Sequence, residues 1–257
     1  VPAIYLLNLR PLFLAHDVIA ALSVLQGGGR LVESRAYFEK AFSYPGLRSQ
    51  EAIEQMAELV PQIVAARAAT EPAEARLFVD RAIRELTALT NSPAVEVKHL
   101  LMLGDVYTSA SAIEPPYRPF ALESYNRALA ISPNNEQIYV ALSNFHAAGG
   151  DFELALAMMR RATVLAPSES ELQMRLAPLA LRTGRAADAE LALFRTHVAG
   201  QKDLVKLAAG YLRAGDLEIV KIVLEEMEKR EPGNPEVAEY HRTVVRMLNE
   251  KKGGPSR

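Results

Sequence analysis

Apolar residues along this chain recur three and four positions apart over long stretches, and most stretches end at or beside a glycine, proline or asparagine. That spacing puts them on one face of an α-helix. Helices are expected at about 12–27, 30–43, 48–68, 71–91, 93–109, 118–132, 135–148, 151–166, 169–183, 185–198, 201–214, 216–231 and 235–251. Ser92 before Pro93 and Asn234 before Pro235 read as an N-cap followed by a first-turn proline. Ser168 and Glu171 have the spacing of a capping box. Gly29, Gly150, Gly184 and Gly215 sit where a left-handed residue would end the first helix of a pair. Pro61 falls inside one helix, which it should kink, and Pro178 inside another, which it should disturb.

The helices repeat in pairs. Ala121, Tyr125, Ala128 and Pro133 align with Ala155, Met159, Ala162 and Pro167, every offset being 34 residues. Leu103, Gly104 and Tyr107 precede the first set, and Tyr139, Leu142, Ser143 and His146 precede the second. A further unit has Leu176, Ala177 and Ala180, then Ala189 and Leu193. The last has Leu207, Ala208 and Tyr211, then Leu224 and Pro232. Near the start Ala21, Leu22 and Leu25 precede Ser34, Phe38 and Ala41. Small residues belong where two helix backbones approach closely, and the large residues beside them fill the gap. Period and phrase together resemble the tetratricopeptide repeat. The expected fold is therefore all-α, a right-handed α-solenoid of antiparallel helix pairs with a C-terminal capping helix. Residues 1–47 form its first pair, a candidate juxtamembrane element, and 48–91 a degenerate long pair. Residues 92–234 carry the repeats, 235–250 the cap, and 251–257 a loose tail. Thr108 to Pro119, holding Pro115, Pro116 and Pro119, lengthens one unit: Gly104 to Ala121 spans 17 residues, against 12 from Ser143 to Ala155.

Composition narrows the function. The 257 residues are 49% hydrophobic and 23% charged, an ordinary globular balance. A net charge of −2 lacks the basic excess that a nucleic-acid binder needs. Having no cysteine, the chain has neither disulfides nor thiolate metal sites. Its most apolar stretch, Val1 to Leu25, is broken by Arg10, Pro11, His16 and Asp17, short of the roughly 18 apolar residues a membrane span needs. It also lacks the basic start and small-residue cleavage site of a signal peptide. Opening on Val1, the chain reads as a piece of something longer.

Catalytic constellations are missing. No two of His16, His99, His146, His197 and His241 have zinc-ligand spacing. His146, at the large inter-helix position of its unit, reads as a core residue. Gly27-Gly28-Gly29 is not followed by Lys-Ser or Lys-Thr and reads as a turn, not a phosphate loop. There is no serine nucleophile elbow. Glu225, Glu226 and Glu228 read as a solvated helix face. The expectation is a non-enzyme with no cofactor and no metal, a module that binds a protein or peptide.

In such arrays the first helix of each pair lines a concave groove. The positions there that helix packing does not need are Lys98, Leu101, Asp105, Gln137, Val140, Asn144, Arg175, Lys202, Lys206 and Arg213. Two readings are open: ordinary solvated helix positions, where Lys and Arg are common, or a site for an anionic peptide or glycan phosphate held by charge-assisted hydrogen bonds. The set partly resembles the clamp by which some repeat proteins grip the acidic tail of chaperones. Asn144, Lys202 and Lys206 match that clamp, while Val140 and Arg175 stand where a lysine and an asparagine are expected. Tyr117 and Arg118 in the proline-rich insert are a second candidate site. The first twenty residues with Phe13 and Leu14, together with Leu22, are a third, either core or the continuation of a helix leaving a membrane.

Longer phrases are more specific. Asn8-Leu9-Arg10-Pro11, Phe38-Glu39-Lys40-Ala41, Gln50-Glu51 and the run Ala128 to Tyr139 resemble the C-terminal repeat region of bacterial O-antigen ligase/polymerase-like membrane proteins. Asn135 and Glu136 depart slightly from that pattern. The resemblance spans about residues 5–170. It implies a polytopic parent that ligates or polymerises lipid-linked glycans at the bacterial inner membrane, with this segment as its appendage on either side. The membrane domain of the same parent is then a further partner. The catalytic residues of that family lie in membrane-side loops with no counterpart here. The alternatives are a freestanding scaffold, an array that only packs on its own membrane domain, and direct glycan binding.

Overall fold

The computed structural model describes residues 10–44, 50–93, 95–184, 192, 204–205, 208–209, 212 and 217–252. Among them are eleven α-helices and one 3-10 turn. The helices are α1 (Arg10–Gln26), α2 (Leu31–Phe42), α3 (Gln50–Arg67), α4 (Pro72–Thr90), α5 (Val97–Ala110) and α6 (Arg118–Ile131). They continue as α7 (Glu136–Ala148), α8 (Phe152–Leu165), α9 (Ser170–Arg182), α10 (Leu217–Arg230) and α11 (Pro235–Lys252), and the 3-10 turn (Pro115–Tyr117) precedes α6. The helices expected at about 185–198 and 201–214 lie largely outside the described residues, although Ala192 and Leu204 from them are buried. Gly215 and residues 253–257 also lie outside.

The chain forms two compact units, Val1–Asn134 and Asn135–Arg257. In the first, α1 packs on α2, α3 on α4 and α5 on α6, with α5 also against α3 and α4. Its core includes Phe38, Met56, Phe78 and Leu86, all fully buried. The Phe38 and Phe78 rings meet edge to face at 5.7 Å. In the second unit α8 packs on both α7 and α9, and α10 on α11.

The aligned small residues do what their size suggests. Ala121, Tyr125, Ala128, Ala155, Met159 and Ala162 are all at most 1% exposed. Gly104 shows why one of them must be glycine: a Cβ there would stand 2.3 Å from Tyr125 Cε1. The Tyr125 hydroxyl, facing α5, donates to Asp105 Oδ1 at 2.6 Å. In the second unit Ser143 Oγ donates to the Ala155 carbonyl at 2.7 Å, fastening α7 to α8. Ser34 Oγ binds the Ala21 carbonyl at 3.0 Å in the same way. A hydroxyl on one helix meeting a carbonyl on its partner requires the close approach that alanine and glycine permit.

Several details differ from expectation. The left-handed residue after α1 is Gly28, with φ +76°, and not Gly29. Gly28 N–H donates to Leu25 and Gly29 N–H to Val24, which is the Schellman pattern, and that pattern assigns the left-handed backbone to the earlier residue. Gly29 is needed for room instead, because a Cβ there would lie 2.7 Å from Val24 Cγ1. Gly150 and Gly184 are left-handed as expected. Ser92 does not cap α5. Asn91 and Ser92 close α4 by donating to the Thr87 and Leu89 carbonyls, and α5 starts from an extended Glu96. Ser168 is likewise no cap, since α9 begins two residues later, at Ser170. The Asn234 cap is present, its Oδ1 accepting from Glu236 N at 3.1 Å. Asn135, a residue not singled out as a cap, does the same for Gln137 N at 2.9 Å. Pro61 lies inside α3, which continues to Arg67. Pro178 does not end α9, which runs on to Arg182: proline removes one donor, while the buried Leu176, Ala177 and Ala180 hold that face.

Candidate binding cleft

The candidate groove residues of the first unit are tied into the fold. Lys98 on α5 reaches Glu54 on α3 with Nζ 2.5 Å from Oε2. Beside it the buried His99 places Nε2 3.0 Å from Glu54 Oε1, so this nitrogen carries the proton and donates. Burial pushes the Glu54 carboxyl up, but the hydrogen bonds from Lys98 and His99 more than reverse it and hold the pKa at about 2. The Lys98 ammonium is correspondingly raised by its hydrogen bond to Glu54. Asp105 is exposed at its outer edge. Loss of water around its carboxyl raises its pKa, and the hydrogen bond from Tyr125 opposes that rise. The Tyr125 hydroxyl is itself raised strongly, by burial and then by the Asp105 charge. Leu101 is half-buried.

The first unit has two further features. An open apolar cleft of about 270 Å³ lies between α1 and α3, walled by Leu22, Leu25, Leu59 and Ile63. In the proline-rich insert the Tyr117 hydroxyl donates to Asp80 at 3.1 Å. The rings of Tyr117 and Phe120 lie 5.8 and 5.6 Å from that of Tyr107. Arg118 opens α6. Phe13 is exposed, Leu14 buried and Leu22 half-buried.

The second unit brings two candidates to one place. A cleft of about 450 Å³ opens among α7, α8 and α9, and Asn144 and Arg175 both line it. Its geometry follows from helix periodicity. Ser143 faces α8, so Asn144, one residue on, turns outward and is exposed. On α9 Leu172, Leu176, Ala177 and Ala180 are buried. Arg175, Pro178, Leu179 and Arg182 share the remaining face and line the cleft. Phe152, opening α8, completes it, and the Arg182 guanidinium carbon lies 5.2 Å from that ring's centroid. Arg175 is only loosely engaged by Glu171, at 3.9 Å with both side chains exposed, a pairing worth little. The cleft thus joins an apolar floor to two arginines and one primary amide.

The other candidates fall elsewhere. Gln137 lies in the first turn of α7 with its Nε2 donating to Glu136, away from the cleft wall. Val140 is 6% exposed and belongs to the core, a correction: the α7 face turned to α8 carries it beside Leu156 and Met159. His146 is half-buried with its ring against Phe145, and Phe145 is the buried member of the pair. Lys202, Lys206 and Arg213 lie outside the described residues. Arg182 and Phe152 were not among the sequence candidates, although the seven-residue step from Arg175 was a signal for Arg182. Among the described residues no three His, Asp or Glu side chains are grouped to hold a metal ion. None of the described helices is long and apolar enough to cross a membrane.

No family model matches the chain, and no curated protein does. Solved structures do. A thermophilic TPR protein of Thermus thermophilus aligns over 90% of this chain and 98% of its own, with a TM-score of 0.50 at 14% identity. A tetratricopeptide repeat protein of Parabacteroides merdae aligns over 78% and 75%, with a TM-score of 0.44 at 16% identity. MamA aligns over 69% and 92%, with a TM-score of 0.43 at 17% identity. At this identity the first of these shows the fold, an all-α helical-repeat solenoid of tetratricopeptide kind.

Proposed function

We propose that the chain is a non-catalytic protein-interaction module that holds an anionic segment of a partner in the cleft of its second unit. The observation that carries this reading is the placement of Asn144, Arg175 and Arg182 around one apolar floor. Arginine presents a planar fork to carboxylate or phosphate, and such charge-assisted bonds are about twice as strong as neutral ones. The fold supports the reading because stacked helix pairs offer open grooves rather than enclosed pockets. Binding of a fluorescent poly-glutamate peptide, with poly-lysine as control, tests it. The acidic peptide should bind in a salt-sensitive manner, and N144A combined with R175Q should weaken it about tenfold. Equal binding by the variant sinks this role for the cleft.

In the finer form of this proposal the module is the appendage of a polytopic membrane protein that ligates or polymerises lipid-linked glycans, tethered at the bacterial inner membrane. The phrases at residues 8–11, 38–41, 50–51 and 128–139 support it. The second reading is a freestanding scaffold. The tetratricopeptide-like fold is equally consistent with it. Intact mass and membrane partition of the native protein separate them. A much larger, membrane-embedded product carries the first reading, and a product near 28.2 kDa in the aqueous fraction carries the second.

A further inference from the structure

The two arginines of the cleft are seven residues apart on α9, and both line it. At 1.5 Å per residue their Cα atoms are separated by about 10.5 Å along the helix axis. Pro178 and Leu179 stand between them on the same face. The Arg182 guanidinium rests over the Phe152 ring, which gives it a preferred direction from the α8 side of the cleft. A ligand that engages both arginines at once therefore carries two anionic groups about 10 Å apart, with something apolar in between.

The backbone of a peptide ligand decides which spacing meets that demand. In a β-strand the side chains on one side are about 6.8 or 13.6 Å apart, for steps of two and four residues, and neither matches. In a helix a step of seven residues matches. However, the backbone N–H and C=O groups of a helix are already bonded to one another, which leaves none for the Asn144 amide at the cleft wall. In a polyproline-II segment residues i and i+3 share a side about 9.3 Å apart, within the reach of two arginine side chains. That conformation also leaves its backbone N–H and C=O groups unbonded. The Asn144 amide, at once donor and acceptor, suits one such peptide group.

We infer that this cleft recognises an extended, polyproline-II-like segment with acidic residues at i and i+3 and an apolar residue between them. The inference rests on the proposed role of the cleft as an anion site and adds the spacing and conformation of what it takes. Arg175 and Arg182 each take one carboxylate, and Pro178 and Leu179 with Phe152 receive the apolar side chain.

The test is a set of labelled nine-residue peptides on a proline–alanine background with a central leucine, bound to the full chain and followed by fluorescence anisotropy. Two glutamates are placed two, three, four or five residues apart, and single-glutamate and all-glutamine peptides are the controls. The three-residue spacing should bind about three- to tenfold more tightly than the single-glutamate peptide and than the other spacings. R182Q should reduce it to the level of the single-glutamate peptide, R175Q should do the same, and the double variant should bring it to that of the all-glutamine peptide. R182K, which keeps the charge without the planar fork, should recover part of the loss. Binding that needs both arginines yet ignores spacing overturns this inference and leaves the cleft as an anion site. Binding that neither arginine affects, or no binding by any acidic peptide, overturns both.

Discussion

The contact between Gly104 and Tyr125 allows a prediction whose sign is opposite to that of helix propensity. In the interior of α5 alanine is favoured over glycine by about 1 kcal/mol, so G104A taken locally should stabilise. The tertiary contact says otherwise. The new Cβ would stand 2.3 Å from Cε1 of Tyr125 and 2.7 Å from its Cδ1 and Cζ. The ring has nowhere to go. It is fully buried, and its hydroxyl lies 2.6 Å from Asp105 Oδ1 and 3.1 Å from Thr108 Oγ1. Overpacking of a filled core costs about 1–3 kcal/mol, and spoiling a hydrogen bond to a carboxylate adds about 1–2 kcal/mol. Set against the propensity gain, the net loss is about 1–4 kcal/mol, a fall of about 3–12 °C in melting temperature for a unit of this size. Urea unfolding followed by far-UV circular dichroism measures it, the chain having nine tyrosines and no tryptophan to report otherwise. The decisive control is Y125L, which removes the ring. In that background G104A should become neutral or stabilising by up to about 1 kcal/mol. A G104A variant more stable than the parent, or equally destabilised with and without the ring, rules out the Tyr125 contact as the cause.

Two further predictions concern the units separately. Glu54 has a folded pKa of about 2 against an ordinary 4.5. A lowered pKa contributes stability above the unfolded value and loses it as pH falls through the folded one. The parent should therefore lose at most roughly 3 kcal/mol between about pH 5 and pH 2 through this group, and E54Q should lack that component in a pH series of denaturant melts. In the second unit Gly150 has φ +82° with open space around its Cα, so G150A should cost about 1 kcal/mol from backbone strain alone, and G150N less, when their urea midpoints are compared. A G150A effect as large as that of G104A in the parent, yet relieved by Y125L, would contradict this separation of causes.

Much of the fold was legible in the residues. The 34-residue step, the small residues at Ala121, Ala128, Ala155 and Ala162, and the turn glycines at 150 and 184 are local or periodic signals, and periodicity survives folding because a helix face must be buried against something. Asn234 could be read as a cap for the same reason: a cap acts within a few residues of its own position. Ser92 misled because its backbone N–H closes α4, donating to the Leu89 carbonyl, and α5 starts only after Glu96. Which of two adjacent turns owns such a residue depends on where the preceding helix stops packing.

Local and periodic patterns alone were enough for the helix pairs, their period and the small residues at the helix contacts. They also marked Asn144 and Arg175 as outward-facing. What those polar residues touch follows from how the helices pack. Lys98 and Asp105 are spent on Glu54 and Tyr125, partners 44 and 20 residues away. Val140 turns inward, while Arg182 and Phe152 join Asn144 and Arg175 at one cleft. The difference is one of range. Helix propensity and amphipathic spacing are sums over neighbours in sequence. A side chain's partner is chosen by the packing of helices against one another, which brings together residues that no local pattern connects.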